Sequence, residues 1–390
     1  MSLFVYPGSM EPIFPEGDIV DLENLAIEVY AKNQVLENIL NNNNGAVLKR
    51  IIAKIDTIWL MNYKGFENEQ LMELLLSESQ PSPAKRFMDA FIEKAYMPST
   101  DYSFNRKYIQ EVHRKWSECM SSEETNILEK RKWGTYRIDE VKLGTHQCPA
   151  AYFLDAFLEH LELKMDENQP HGMSNARRII QQVVYLQRFM WIHPFDDYNL
   201  VVGWLLNHHG FQHLSVNNGG WSLSKALLHK KKEWLNMVRL ADAVKSSKED
   251  GSGNLSNVAL LKYCKFVLEQ YHKELLLMIQ LFSQETLLVR FRRLCDVMAK
   301  KKIIRKDSFL ILEEVIYKGF IHKMDVDKVT GRSDKTSKAM AKQLVDLGLL
   351  SVEGNHFSPY TFSLDVKWIA HLFPELLPSE IESLLMKQIL

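Results

Sequence analysis

Four side chains able to handle protons, metal ions or phosphate fall within seven residues: His193, Asp196, Asp197 and Asn199. They stand in "HPFDDYNL", between an amphipathic run and an apolar one. A histidine beside an anion site can act as a general base. An aspartate next to it can hold a magnesium ion that bridges phosphates. A histidine at a helix end also serves as a plain hydrogen-bonding group, and residue type alone leaves both readings open.

Two segments must position these groups. In "SNARRIIQQVVYLQRFMWI", residues Ile180, Val183, Val184, Gln187 and Trp191 share one helical face. Pro194 stops that helix, because proline disfavours α geometry in the residue before it. His193 is therefore expected at the helix end. The following "LVVGWLLN" is apolar all round, the pattern of a helix buried on every side. The N-terminus of such a helix gathers unpaired N–H groups and a partial positive charge, which suits a phosphate. Downstream, "NHHGFQH" sets His209 and His213 four residues apart, a metal-ligand spacing on a continuous helix. Gly210 between them is expected to end the helix and so to favour capping over metal.

One stretch breaks the helical pattern. "WGTYRIDEVKLGTH", Trp133 to His146, reads as two short strands turning near Asp139. A lone hairpin is not stable by itself and must pack on something. It is either a surface decoration or a flap beside a site.

These residues resemble the Fic family, whose motif reads His-Pro-Phe-x-Asp/Glu-Gly-Asn-Gly-Arg-x-x-Arg. His193, Pro194, Phe195, Asp197 and Asn199 match it, "FMWIHPF" resembles the family's helix into the motif, and "GTYR" resembles the start of its flap. The resemblance covers residues 20 to 290 or so. It implies transfer of AMP from ATP, with magnesium, to a serine, threonine or tyrosine hydroxyl of a target protein. By position it makes His193 the base, Asp197 the metal ligand, and Tyr198, Asn199 and Leu200 the residues facing phosphate. It makes Val141, Lys142, Leu143, Gly144 and Thr145 the flap that aligns the target by strand addition.

The departures fall on the groups that would hold ATP. Tyr198 and Leu200 replace both motif glycines, and Val201 and Trp204 replace both arginines. A non-glycine residue in left-handed geometry costs about 1–2 kcal/mol. Each lost charge-assisted bond to phosphate is worth about 1.5–3 kcal/mol. The inhibitory Ser-x-x-Ile-Glu-Gly segment of many Fic proteins also lacks its glutamate and glycine in the best-placed match, "AKIDTIWLMN", where Trp59 and Leu60 stand. The expectation is a Fic-family protein with lost or altered ATP use. The alternative is a non-catalytic regulatory protein that binds DNA or a protein partner.

The whole chain sets wider bounds. It has 390 residues, 46% of them hydrophobic, which is enough for two or three domains with substantial cores. Its net charge of −1 gives no whole-chain reason to expect nucleic-acid binding, though a local basic face remains open. Its four cysteines, Cys119, Cys148, Cys264 and Cys295, form no C-x-x-C pair, so neither zinc nor a disulfide framework is expected. No basic-then-apolar leader and no long uncharged run is present, so the expectation is a cytoplasmic protein that does not engage a membrane.

The expected architecture is mainly α: a Fic-type helical core with a β-hairpin flap, plus a C-terminal winged helix-turn-helix. Residues 1–110 read as an N-terminal helical region. Residues 111–290 read as the Fic core, with the flap at 133–146 and the motif at 193–204. From 301 to 372 the order is helix, helix, a turn at Gly331 capped by Ser333 or Asp334, helix, then two strands about Gly354, the order of a winged helix. Residues 373–390 read as a closing helix. Arg332, Lys335, Lys338 and Lys342 lie on or near the candidate recognition helix, which suits DNA phosphates. Winged helices also serve as partner-binding and dimer modules, so a homodimer is a further expectation.

Overall fold

The computed structural model describes residues 6–42, 44–76, 81–96, 102, 105–121, 127–144, 146–167, 174–354 and 357–389. The first half holds helices α1 (Val20–Leu40), α2 (Gly45–Lys64), α3 (Asn68–Leu76), α4 (Pro83–Tyr96), α5 (Arg106–Met120), α6 (Ile127–Lys132), α7 (Leu154–Glu167) and α8 (Asn175–Ile192). Then come α9 (Asn199–His213), α10 (Leu223–Leu228), α11 (Lys231–Ala241), α12 (Asn257–Phe282) and α13 (Gln284–Lys300). The last part adds α14 (Ser308–Lys318), α15 (Val326–Thr330), α16 (Asp334–Asp346), α17 (Ile369–Leu372) and α18 (Ser379–Ile389). The strands are β1 (Lys142–Leu143), β2 (His146–Gln147), β3 (Phe320–Ile321), β4 (Leu350–Ser351) and β5 (Tyr360–Phe362). The fold is thus predominantly helical. Two compact units form, and neither follows chain order: one comprises residues 1–34, 81–218 and 226–274, the other residues 35–80, 219–225 and 275–390. Stretch 1–110 is accordingly divided between them.

The first unit is built on the pair α8 and α9. Ser174 starts α8 by accepting the Arg177 N–H at 3.4 Å, and Pro194 follows its end. Ile179, Ile180, Val183, Val184, Leu186 and Phe189 are all buried, so α8 is covered on more than one face. Helix α9 folds back along it. A Cβ at Gly210 would stand 2.2 Å from the Gln182 side chain, so glycine is what lets the two backbones approach. This corrects the sequence reading of Gly210 as a helix stop: α9 runs through it to His213. The continuous helix makes no metal site of His209, whose Nδ1 meets the Tyr108 hydroxyl at 2.8 Å and whose Nε2 meets the Lys94 carbonyl at 2.8 Å. Among the described residues no cluster of three metal-ligating groups occurs.

Helices α4, α5 and α7 pack around this pair. Asn105 caps α5 by accepting the Tyr108 N–H at 2.9 Å. Behind α8, the wholly buried Arg188 donates to the Pro12 carbonyl at 2.8 Å and to the Ala241 carbonyl at 3.2 Å, while the Gln187 amide donates to Asp242 at 2.6 Å.

The second unit joins α2 and α3 to the C-terminal helices. Buried Asp56 accepts the Ser222 hydroxyl at 2.6 Å and the Ser224 N–H at 2.7 Å, which fixes the start of α10. The Trp59 indole N–H donates to the Leu376 carbonyl at 2.8 Å. Residues 308–362 form three helices and a sheet of order β3-β5-β4, antiparallel throughout, with Ile321 opposite Tyr360 and Leu350 opposite Phe362. Ser333 takes the N-cap place of α16, but its hydroxyl meets Thr336 Oγ1 at 3.0 Å and not a backbone N–H. Among the described residues no helix is long and apolar enough to cross a membrane.

Candidate functional site

The turn between α8 and α9 is closed by its own side chains. His193 takes left-handed backbone geometry, φ 51°, and its N–H reaches back to the Phe189 carbonyl at 3.1 Å. Tyr198 is left-handed too, φ 53°. Asn199 bridges the turn in both directions: its Oδ1 accepts the Phe195 N–H at 2.9 Å and its Nδ2 donates to the Phe195 carbonyl at 2.7 Å. It is almost fully buried. Both ends of its amide are thus turned onto the loop backbone.

Arg137 ties the same turn to the hairpin. Its Nε donates to the His193 carbonyl at 2.8 Å, one terminal nitrogen to Asp139 at 2.7 Å and the other to Pro149 at 2.6 Å. Its backbone N–H donates to the Pro194 carbonyl at 2.9 Å. No carboxylate accompanies it in these bonds, although it is only 2% exposed. Its charge lies at the C-terminal, carbonyl-rich end of α8, where a cation is favoured. The His146 Nε2–H donates to the Trp191 carbonyl at 2.9 Å, a second tie to the end of α8.

The hairpin itself is shorter than the sequence suggests and turns later. Among the described residues only Lys142–Leu143 pairs with His146–Gln147, and the chain turns after them at Gly144, φ 62°, and not near Asp139. Residues 135–140 run without strand pairing because Arg137 holds them by side-chain bonds. Val141 anchors the base, its carbonyl accepting the Cys148 N–H and the Gln147 amide, each at 3.2 Å. Lys142 and Leu143 are exposed, and Thr145 lies outside the described residues.

Both acids of the motif have partners. The Gly134 N–H donates to His113 Nδ1 at 2.9 Å, so the proton of neutral His113 sits on Nε2, 3.3 Å from Asp197. The His113 ring also stacks on Phe195, centroids 3.9 Å apart. Lys132 pairs with Asp196 at 3.3 Å. These groups, with Glu129 and Tyr198, line a cleft of about 460 Å³ that does not include His193. His113, Lys132 and the clamp role of Arg137 were missed from sequence. A signal existed for one of them: His113 stands between Ile109, Val112 and Trp116 on the buried face of α5, a place where a histidine needs a partner.

Burial, with Arg137 and His146 adding to it, lowers the His193 pKa to about 4. Burial lowers His209 to about 4 as well, and raises the Asp242 carboxyl to about 7. Between pH 4.5 and 6 each of these histidines is neutral when folded and protonated when unfolded. Each then contributes a stability slope of about +1.4 kcal/mol per pH unit. Asp242 has the opposite sign, being protonated when folded and ionised when unfolded. The three together leave a rise of about 1.4 kcal/mol per unit. Denaturant melts across this window should show His193→Gln flattening that rise and Asp242→Asn doubling it.

A magnesium-bound triphosphate does not fit these residues. Val201 and Trp204, at the places of the motif arginines, are wholly buried, and Trp204 packs on Trp234 at 6.1 Å. The Tyr198 ring lies edge-on to Trp116 at 6.3 Å, beside the turn where a glycine would leave room. Arg137 is engaged by carbonyls. Asp197 faces His113. Arg332, Lys335, Lys338 and Lys342 belong to the other unit, on or next to α16.

Residues 103–209, which include this turn and the hairpin beside it, match the Fic/DOC family model. A Fic/DOC family domain therefore occupies that part of the chain. Among solved structures, the chain is similar to a Fic family protein from Desulfovibrio desulfuricans G20, with 13% identity and a TM-score of 0.47 over 92% of this chain and 98% of that one. It is also similar to a Fic domain containing signaling protein from Bacteroides thetaiotaomicron VPI-5482, with 15% identity and a TM-score of 0.45 over 66% of this chain and 97% of that one. No curated protein matches the chain.

Proposed function

We propose that this Fic domain has lost the use of ATP and that the chain works in the cytoplasm as a regulatory binding protein. One observation carries the reading: the phosphate-holding positions of the motif are taken by a left-handed Tyr198 and by the buried Val201 and Trp204. The module at 308–362, with the element order of a winged helix, is the half that meets the partner. Differential scanning fluorimetry with ATP and magnesium tests the first part. The expected result is no rise in Tm and no AMP label on added proteins. A rise in Tm together with label that disappears in His193→Gln overturns it.

A second reading rests on His193 itself. Its pKa of about 4 keeps the ring neutral at physiological pH, the state a base requires. In that reading the domain transfers a group from another phosphate-containing donor to a protein hydroxyl, and a panel of such donors in the same melting assay separates the two.

A further inference from the structure

We propose that the exposed face of α16 docks duplex DNA by entering its major groove; the proposal rests on reading residues 308–362 as the chain's partner-binding module. Helix α16 divides cleanly. Ser337, Met340, Ala341 and Leu344 form its buried stripe. Its outer face carries Lys335, Lys338, Ala339, Lys342 and Gln343, all exposed. From Lys335 to Gln343 that face holds no acid and no bulky apolar side chain, while the exposed Asp334 and Asp346 stand at its two ends. An α-helix is about 10–12 Å across with its side chains, and the major groove is about 12 Å wide, so an outer face of this kind fits the groove.

The supporting elements are set for such a docking. Helix α15 ends on Gly331, φ 64°, and a turn of Gly331, Arg332 and Ser333 leads into α16. Thr330 and Ser337 share a buried hydroxyl–hydroxyl bond of 2.7 Å that locks the two helices together. Lys323, from the segment after β3, adds a cation whose Nζ lies 5.8 Å from the Tyr360 ring of β5.

Charge favours a polyanion at this face. Between Lys323 and the end of α16 at Asp346, six cations stand against four acids, in a chain whose net charge is −1. Three of the cations have internal partners: Lys328 with Asp325 at 2.7 Å, Arg332 with Asp307 at 2.8 Å, and Lys338 with Asp334 at 2.9 Å. Exposed pairs of this kind are worth at most about 1 kcal/mol, so phosphates can compete for them. Lys335 and Lys342 carry no ion pair among the described residues and present their charge outward. Gln343 and Ala339 lie beside them, an amide suited to adenine and a methyl suited to thymine.

The test is fluorescence anisotropy of the full chain with a labelled random-sequence DNA duplex at low salt. Binding is expected to weaken steeply with salt, as counterions are released. The double variant Lys335→Glu/Lys342→Glu should weaken it at least tenfold and lower the salt slope by about 2, one for each phosphate no longer neutralised. Lys262→Glu, an exposed change on α12, should leave it unaltered. Absence of duplex binding by folded protein overturns the proposal. So does binding unchanged in the double variant, or equal binding to single strands. If polyglutamate binds instead of duplex, and the double variant loses it, DNA is excluded while the module stands as the binding unit.

Discussion

Arg137→Met should cost about 3–5 kcal/mol of stability, among the larger effects a single substitution can have. Methionine keeps much of the volume but removes every side-chain donor. The carbonyls of His193, Asp139 and Pro149 would then lose their partner in a place where Arg137 is nearly inaccessible to water. The backbone bond from residue 137 to Pro194 would remain, so the chain path survives while the clamp does not. A local readout accompanies the global one. Arg137 is one of the two charges that lower the His193 pKa, so NMR titration should show that histidine moving up from about 4 in the variant. Arg137→Lys keeps the charge but not the fork and should recover the pKa better than the stability. A loss below about 1 kcal/mol would mean that solvent already serves these carbonyls.

Val201→Arg, the motif-restoring substitution, should be the least tolerated change at the turn. Val201 is wholly buried at the third position of α9. A guanidinium there replaces a side chain wholly shielded from water, and an unpaired buried charge costs about 3–5 kcal/mol. Urea denaturation should show this as a large drop in midpoint, whereas Leu200→Arg, at a half-buried position, should stay within about 1 kcal/mol of the parent. Tyr198→Gly relieves left-handed strain of about 1–2 kcal/mol but gives up the ring's packing on Trp116, so its net effect should be small. If Val201→Arg is as stable as the parent, the arginine has found an outward path, and the exclusion of phosphate from this turn fails with it.

Periodicity and proline placement were enough to find the two helices that frame the turn, because burial and backbone sterics act within a few residues. The His-Pro-Phe run with Asp197 and Asn199 was enough to point to the Fic family. What the sequence misplaced depended on distant neighbours. Gly210 reads as a stop from local propensity, but Gln182, twenty-eight residues earlier, is what makes glycine necessary there. The hairpin turn was set too early because Arg137 pairs with carbonyls on three separate segments, which no strand pattern encodes. The bonds of Asn199 to Phe195 are not legible in the sequence, because they exist only once the turn has formed. The partners of Asp196 and Asp197 are hidden from a local reading because Lys132 and His113 stand on other helices.

The reciprocal bonds of Asn199 also bear on how such a chain can change over generations. A loop that holds its shape through its own amide does not need a bound nucleotide as its template. Side chains at positions beside it can then differ without the loop losing the bonds that shape it. The shape of the turn is thus a property of residues 195 and 199 themselves, whatever occupies the space beside it.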